Sequence, residues 1–147
     1  MYQFFVEPSQ IQGNRIVITG SDVNHIKNVL RMKPGEEIAV SNGIDGKEYR
    51  CGIEELLEEE IICTLRFIKE DGLELPARVT FFQGLPKADK MEFIVQKAVE
   101  LGVSRIVPYL SKNCVSRPDK TEKKVERWRK IAAEAAKQCG RGRLPEV

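Results

Sequence analysis

Short apolar runs alternate with turn residues over the first 70 positions, a pattern typical of β-strands. Five such runs predict strands, at residues 3–6, 15–19, 37–41, 48–53 and 61–68. Turn pairs such as Asn42-Gly43 and Asp45-Gly46 separate them. Several short strands at this spacing predict a small β-barrel over residues 1–70. The glutamate-rich stretch 54–60 is interpreted as a solvated turn between two of the strands.

One helix interrupts the predicted strands at residues 21–31. Val23, Ile26 and Leu30 fall on one face of that helix, and Ser21 is placed to act as its N-cap. His25 lies on the opposite side from this apolar stripe. His25 is therefore interpreted as a hydrogen-bonded structural residue rather than a catalyst.

A different periodicity begins after residues 71–76, a polar stretch that ends in proline and predicts a linker. Residues 77–83 predict a buried strand, and Asp89 with Glu92 forms a capping-box pattern for a helix that ends at Leu101. Gly102 supplies the left-handed stop. Residues 104–110 predict a second strand. A strand, a helix and a strand over this length form a βαβ unit, so the two strands should be parallel.

A third helix begins at Asp119 or Thr121 and ends at Gly140. It carries one apolar stripe, formed by Val125, Trp128, Ala132, Ala135 and Cys139. Residues 141–147 are interpreted as a loop that leads into another strand. Because two parallel strands with helices cannot bury themselves, we expect the α/β domain over residues 77–147 to be incomplete.

Composition and charge narrow the class of protein. With 41% apolar and 31% charged residues the chain resembles an ordinary soluble protein, and no run approaches the roughly 20 apolar residues of a membrane span. The N-terminus has no leader pattern, so a cytoplasmic location without membrane contact is expected. Four widely spaced cysteines and one histidine favour free thiols and no metal site.

The basic side chains are concentrated towards the end of the chain. Residues 1–70 hold 8 basic and 12 acidic side chains, whereas residues 111–147 hold 11 basic and 5 acidic ones. A net charge of +6 in one short stretch favours docking of a polyanion, and a solvated helix face is an equally good explanation.

Four ordered blocks of residues resemble a known family. They are HIKNVLRMKPG at residues 25–35, GLPKADKMEFIVQKAVELGV at 84–103, RWRKI at 127–131 and EAAKQCGR at 134–141. The chain resembles the bacterial family that methylates N3 of a uridine in small-subunit ribosomal RNA, of the SPOUT class. This resemblance implies an RNA-binding PUA-like barrel, a knotted α/β methyltransferase domain, a homodimer, and S-adenosylmethionine as methyl donor.

The sequence departs from the family pattern in one respect. The Gly-rich loops that hold the donor in the family lie in the C-terminal part of the second domain, and no such cluster occurs among the eleven glycines. The chain therefore resembles the N-terminal portion of such an enzyme, with the knot portion absent. We expect it to bind no donor and to be inactive by itself.

Methylation at N3 of uracil requires removal of the imide proton, so a proton acceptor or a stabilising cation is needed beside the donor. Arg141 is the strongest candidate, since it follows Gly140 and its guanidinium is expected to reach a pocket or a phosphate. Lys97 and Glu100 are catalytic candidates on the second helix, and an ordinary surface ion pair explains their spacing equally well.

Other cations are candidates for contacts with RNA phosphates or substrate. Lys87 and Lys90 follow a predicted strand at its carboxyl end, where α/β folds place ligands. The remaining RNA-binding candidates are Arg31, Lys33, Arg117, Gln138 and Arg143. Arg31 could instead support the barrel helix structurally. Two alternatives stay open for the chain: a non-catalytic RNA-binding module, and a folding or dimerisation fragment.

Overall fold

Two units make up the chain, Met1–Gly72 and Leu73–Val147. The computed structural model describes residues 1–70, 74–87, 90–112, 114 and 121–147. Each unit is built around a sheet of its own. The first has six strands and the second has two.

The first unit is a mixed six-stranded sheet with the order β1-β4-β5-β6-β3-β2. Its strands are β1 (Gln3–Phe5), β2 (Ile11–Gln12), β3 (Arg15–Thr19), β4 (Glu37–Ser41), β5 (Glu48–Leu56) and β6 (Glu60–Lys69). Strands β1 and β4 are parallel, and all other neighbours are antiparallel. Within residues 1–70, β1 and β2 do not pair with each other, so the small β-barrel that the sequence predicted is a half-barrel, open between these two strands.

The hairpin between β5 and β6 is tighter than predicted. Residues 54–60 were expected to form a solvated turn, but β5 continues to Leu56 and β6 begins at Glu60. Glu55 faces Ile62 and Leu56 faces Ile61 across the ladder. Backbone pairing and the packing of Leu56 on the core outweigh the poor strand propensity of the glutamates. Only residues 57–59 remain outside the strands.

Alternating side chains of the half-barrel fill one core. Ile16 and Ile18 of β3 are 0% and 1% exposed, while Arg15 and Thr19 on the same strand face solvent. The buried set comprises Phe4, Val6, Ile16, Ile18, Val23, Ile26, Ile38, Val40, Cys51, Ile53, Ile61 and Cys63. Each fully buried branched side chain stabilises the fold by about 1.5–3 kcal/mol.

Two buried thiols in this core give a direct prediction. Burial raises the pKa of both Cys51 and Cys63 to about 12, whereas Cys139 in the second unit is exposed. Because the thiolate is the reactive species, Cys139 should be alkylated by a maleimide at pH 8 while Cys51 and Cys63 stay unmodified. Mass spectrometry of the labelled native chain, with a urea-unfolded sample as the control, checks this. Equal labelling of Cys51 and Cys139 would show that the half-barrel opens readily.

The turn between β4 and β5 is organised by Asp45. Its carboxylate accepts hydrogen bonds from the Tyr49 hydroxyl at 2.7 Å, the Lys47 backbone N–H at 2.8 Å and the Asn42 amide at 2.8 Å. Partial burial raises the pKa of Asp45, but the hydrogen bonds outweigh it and hold that pKa below its usual value. Burial and the neighbouring Asp45 raise the pKa of Tyr49 to about 12.

The lowered pKa of Asp45 determines how the stability of the turn depends on pH. Since the pKa of Asp45 is lowered on folding, its stabilisation is present above the unfolded pKa and is lost as the pH falls through the folded value. Below pH 4, we expect the free energy of unfolding to fall less steeply with decreasing pH in Asp45→Asn than in the unaltered chain. Urea titrations between pH 2 and 6 measure this slope. A slope identical to that of the unaltered chain would contradict the assignment.

A helical segment crosses from β3 to β4. It consists of α1 (Ser21–Asn24) and a π-helical turn, His25–Val29. Val23 and Ile26 are buried and Leu30 is half-buried, which confirms the predicted apolar face. The N-cap prediction was wrong, because Ser21 is already helical and Gly20 precedes it at φ 75° with no side-chain cap. A left-handed Gly20 turns the chain sharply enough to replace the serine cap.

The second unit contains β7 (Thr80–Gly84), α2 (Lys90–Glu100), β8 (Arg105–Tyr109) and α3 (Thr121–Cys139). The predicted parallel pairing is confirmed, since Thr80 faces Arg105 and Gly84 faces Tyr109. The proposed caps at Asp89 and Asp119 lie outside the described residues. A parallel bridge between Arg105 and Glu146 adds the beginning of a third strand beside β8, as the sequence indicated.

Packing of α2 against α3 forms the core of this unit. Met91, Val95 and Val99 of α2 are almost fully buried. The buried residues of α3 are Trp128, Ala132, Ala135 and Ala136, which confirms most of its predicted stripe. Cys139 was wrongly assigned to that stripe. It is exposed because it lies in the last turn, where the chain leaves α2 through Gly140 at φ 76°.

None of the helices in the described part of the chain is long and apolar enough to cross a membrane. Within the same residues no group of three His, Cys, Asp or Glu side chains lies close enough to hold a metal ion.

Candidate functional site

The candidate residues of the second unit lie at two ends of α2. At its N-terminal end, Lys87 and Lys90 are exposed and stand beside the carboxyl end of β7. The 11-residue helix separates them from the residues near its C-terminal end by about 16 Å. The structure therefore brings the two lysines to one edge of the unit and the Arg141 group to the other.

The carboxyl edge of the parallel strands is open and partly aromatic. Leu85 donates its backbone N–H to the Tyr109 carbonyl at 3.0 Å, which continues the β7–β8 ladder one step past the strands. The Tyr109 ring lies 3.6 Å from the position a Cβ would take on Gly84, and it is 48% exposed. No hydrogen bond or ion pair joins the Lys87 or Lys90 side chain to another described residue. An anionic ligand at this edge would meet two ammonium groups and a phenol.

Arg141 is buried, contrary to the expectation that its guanidinium swings freely. Only 4% of the residue is exposed. Nη1 donates to the carbonyls of Val99 at 3.0 Å and Val103 at 2.8 Å. Nε and Nη2 bind the two carboxylate oxygens of Glu74 at 3.2 and 2.7 Å. The guanidinium thus adds a second donor to the Val99 carbonyl, which also accepts the Gly102 N–H, and binds the Val103 carbonyl just after α2, an arrangement that the flexibility of Gly140 alone did not reveal.

Glu74 is the residue that sequence analysis missed. Besides Arg141 it accepts a hydrogen bond from the Arg143 backbone N–H at 3.2 Å, and its side chain is only 17% exposed. A single glutamate in a polar stretch before a proline carries no local signal of burial. Its partner lies 67 positions further along the chain, so only the tertiary structure identifies the pair.

Lys97 and Glu100 form an ion pair in the last turn of α2. The Lys97 ammonium lies 2.8 Å from Glu100 Oε2 and 5.8 Å from the centre of the Phe93 ring. The lysine side chain is 46% exposed, so the pair itself stabilises the helix by less than about 1 kcal/mol. Phe93 is 63% exposed, which leaves an aromatic and a cationic group side by side on the surface. A catalytic role for this pair stays a prediction.

Gln138 and Arg143 have exposed side chains on either side of Arg141. Arg117 falls outside the described residues. On the other surface of the helix pair, Arg127 Nη2 binds Glu92 Oε2 at 3.0 Å, and the same arginine keeps the pKa of Glu92 below its usual value. This contact joins α3 to α2 at the surface, outside the apolar core between them.

In the first unit, Arg31 and Lys33 follow the π-helical turn with exposed side chains. The Lys33 backbone N–H binds Glu36 Oε2 at 2.6 Å, which fixes the turn into β4. Arg31 adopts φ 53°. These two cations are part of a separate unit from the candidates around α2.

The glycines of the second unit do not form a cradle for an adenosine. Gly102 and Gly140, at φ 95° and 76°, end α2 and α3, and a Cβ on Gly102 would meet Leu75 at 2.7 Å. Gly84 faces the Tyr109 ring. The described residues therefore do not fit S-adenosylmethionine, and none of them is assigned to the donor.

Comparisons with known proteins assign each unit. Residues 18–66 match the model of an RNA methyltransferase PUA domain, and residues 73–147 match that of an RNA methyltransferase domain. The chain is similar to ribosomal RNA small subunit methyltransferase E of Bacillus subtilis, with 38% identity over 100% of the chain and 59% of the relative. The Synechocystis enzyme of the same name is 32% identical over 99% of the chain and 46% of the relative.

Solved structures agree with this assignment. The structure of ribosomal RNA small subunit methyltransferase E from Neisseria gonorrhoeae, bound to S-adenosyl methionine, matches with a TM-score of 0.88 and 30% identity, over 100% of this chain and 60% of that one. The chain thus spans about three fifths or less of the length of these relatives. It belongs to the RNA methyltransferase family, whose domain model matches residues 73–147.

Proposed function

We propose that this chain is the N-terminal portion of an enzyme that transfers a methyl group from S-adenosylmethionine to N3 of a uridine in 16S ribosomal RNA. The observation that carries the proposal is the order of the two matched domains along the chain. The chain is also 38% identical, over its own full length, to a named ribosomal RNA methyltransferase. The proposal places the protein in the cytoplasm with the small ribosomal subunit as its partner.

The chemistry assigns different tasks to the two units. Methylation at N3 of uracil would require a base that takes the N3–H proton. When bound, the donor supplies an electrophilic methyl group. The described residues contribute RNA binding, through the half-barrel and through Lys87 and Lys90 at the carboxyl edge of β7, where parallel sheets bind ligands.

In this proposal Arg141 is a positioning residue rather than a catalytic one. Its guanidinium holds the carbonyls of Val99 and Val103, so it acts through the end of α2. Lys97 and Glu100 lie on that same last turn. The side chains of Lys97 and Glu100 are exposed and can reach a substrate, while Gln138 and Arg143 offer flanking contacts to RNA.

We further propose that the donor site, the SPOUT-type knot and the homodimer interface involve residues beyond these 147. Support comes from the fraction of the relatives that the chain spans and from the large apolar side chains exposed in the second unit. The most exposed of these are Leu101, Phe82, Phe93 and Leu110.

Calorimetric titration with S-adenosylmethionine tests the proposal. The 147-residue chain and any longer product of the same gene are titrated side by side, and each is then assayed on small ribosomal subunits for 3-methyluridine by mass spectrometry. We expect binding and methylation by the longer product alone. Failure of the longer product to bind the donor would overturn the enzyme assignment.

A non-catalytic RNA-binding module is the second candidate function. Exposed cations in both units favour it, since Lys33 and Lys87 can contact phosphates without a methyl donor. Salt-sensitive binding of ribosomal RNA without donor binding by any product of the gene would support this alternative.

A further inference from the structure

Arg31 occupies a conformation that its side chain disfavours. Within the described residues it is the one non-glycine residue with a positive φ, at 53°. Glycine and asparagine adopt this region with less steric cost than arginine. The Arg31 side chain is exposed, and no hydrogen bond or ion pair joins it to another described residue. This backbone conformation ends the helical segment and lets the next residue, Met32, donate its N–H to the Ile26 carbonyl at 3.0 Å, a contact in which the Arg31 side chain takes no part.

The preceding turn is unusual as well. His25–Val29 is a π-helical turn, in which Leu30 donates to the His25 carbonyl at 2.9 Å. Such turns are rare and are frequently found at functional sites. Residues with a strained backbone cluster at active sites and ligand-binding sites.

The helical segment presents two different faces. Asn24 and Asn28, whose side chains bond at 2.6 Å, border a groove with Glu58, Glu59 and Glu60. Lys27 is bound to the Leu57 carbonyl on that same side at 2.7 Å. This face is acidic and would repel a polyanion.

His25 and Val29 lie on the same segment but do not line that groove. His25 is exposed, and its ring centre lies 6.3 Å from that of the buried Phe4 in an edge-to-face contact that orients the imidazole. Val29 is 62% exposed. Leu30, the residue before Arg31, donates its backbone N–H to the His25 carbonyl, so Arg31 follows His25 by little more than one helical turn.

We propose that His25, Val29 and Arg31 form a subsite for one unpaired nucleotide of RNA, with the phosphate on the Arg31 guanidinium and the base on the His25 ring and the Val29 methyl groups. An exposed ring, an aliphatic contact and a cation in one turn match how proteins bind single-stranded RNA. The inference rests on the proposed function, which supplies ribosomal RNA as the ligand. It adds that the bound RNA is single-stranded and names the residues that bind it.

The strain supplies a test that separates binding from folding. In Arg31→Asn the new side chain suits the left-handed backbone, so the urea midpoint of the 147-residue chain should not fall. Affinity for a single-stranded 16S ribosomal RNA oligonucleotide should fall about tenfold, and the salt dependence should lose about 0.7 in log–log slope. Arg31→Lys should retain most of that salt slope because it keeps the charge.

Two further variants complete the experiment. Lys47→Gln removes one positive charge at the opposite end of the β4–β5 hairpin, where Lys47 binds Glu70, and it should change affinity less than twofold. His25→Ala should weaken single-strand binding about tenfold and leave binding to the matching duplex unchanged, and His25→Phe should restore it because stacking is retained.

The outcomes distinguish this subsite from the proposed function. Unaltered affinity in both Arg31→Asn and His25→Ala, with RNA still bound by the parent chain, would overturn the subsite and leave the function intact. Equal losses on duplex and single-stranded RNA would also overturn it. Failure of the parent chain to bind either RNA would overturn the subsite together with RNA binding by the half-barrel.

Discussion

Arg141→Ala should lower the free energy of unfolding of the second unit by about 3–5 kcal/mol. The substitution leaves the Glu74 carboxylate, only 17% exposed, without its bidentate partner. It also removes the donors that bind the Val99 and Val103 carbonyls. Urea denaturation followed by far-UV circular dichroism measures the loss, because α2 and α3 supply most of the helix in the chain.

Arg143→Ala is the matched control for this prediction. The Arg143 side chain is exposed and only its backbone N–H reaches Glu74, so the alanine variant keeps the contact. Its stability should change by less than about 0.5 kcal/mol. Arg141→Lys should fall between the two, because an ammonium group cannot bind a carboxylate and two carbonyls in the same plane. Equal stability of the two alanine variants would contradict the structural role of Arg141.

Trp128→Ala should destabilise the second unit by about 3–5 kcal/mol through the cavity left between α3 and α2. Trp128 is 6% exposed and is the largest side chain on the buried face of α3. Hydrogen exchange measured by mass spectrometry reads out this change. Peptides from α2 and α3 should exchange faster, while peptides from β3 to β6 should be unaffected.

Phe93→Ala controls for the loss of an aromatic ring in the same unit. Phe93 is 63% exposed and contacts the Lys97 ammonium, so its removal should cost less than about 1 kcal/mol. If Trp128→Ala and Phe93→Ala exchanged at the same rates, the assignment of Trp128 to the α2–α3 core would be wrong.

The helix stripes show how far local periodicity predicts this fold. Val23 and Ile26 in the first unit and Trp128 and Ala132 in the second are buried as their spacing indicated. Cys139 follows the same spacing and is exposed. Periodicity identifies which face of a helix is apolar, but it contains no information about where the neighbouring helix stops covering that face.

The candidate site was less predictable than the fold. The position of Lys87 and Lys90 at the carboxyl edge of β7 could be predicted, because a βαβ pattern is readable from the sequence. The preceding Gly140 predicts that the Arg141 guanidinium is free to move, but a glutamate 67 residues away binds it. The left-handed backbone of Arg31 likewise has no sequence signal, since glycine or asparagine is the residue expected there.

By itself the sequence determined the two domain types, the strand and helix periods and the family, because each depends on residues close together in the chain or on ordered blocks of them. Tertiary structure alone decided that the first sheet stays open between β1 and β2, and that Arg141 is buried against Glu74. The physical reason is the distance along the chain between the residues that set each property. Burial of an apolar face repeats every few residues, whereas the environment of a charge is set by groups that only folding brings within hydrogen-bonding distance.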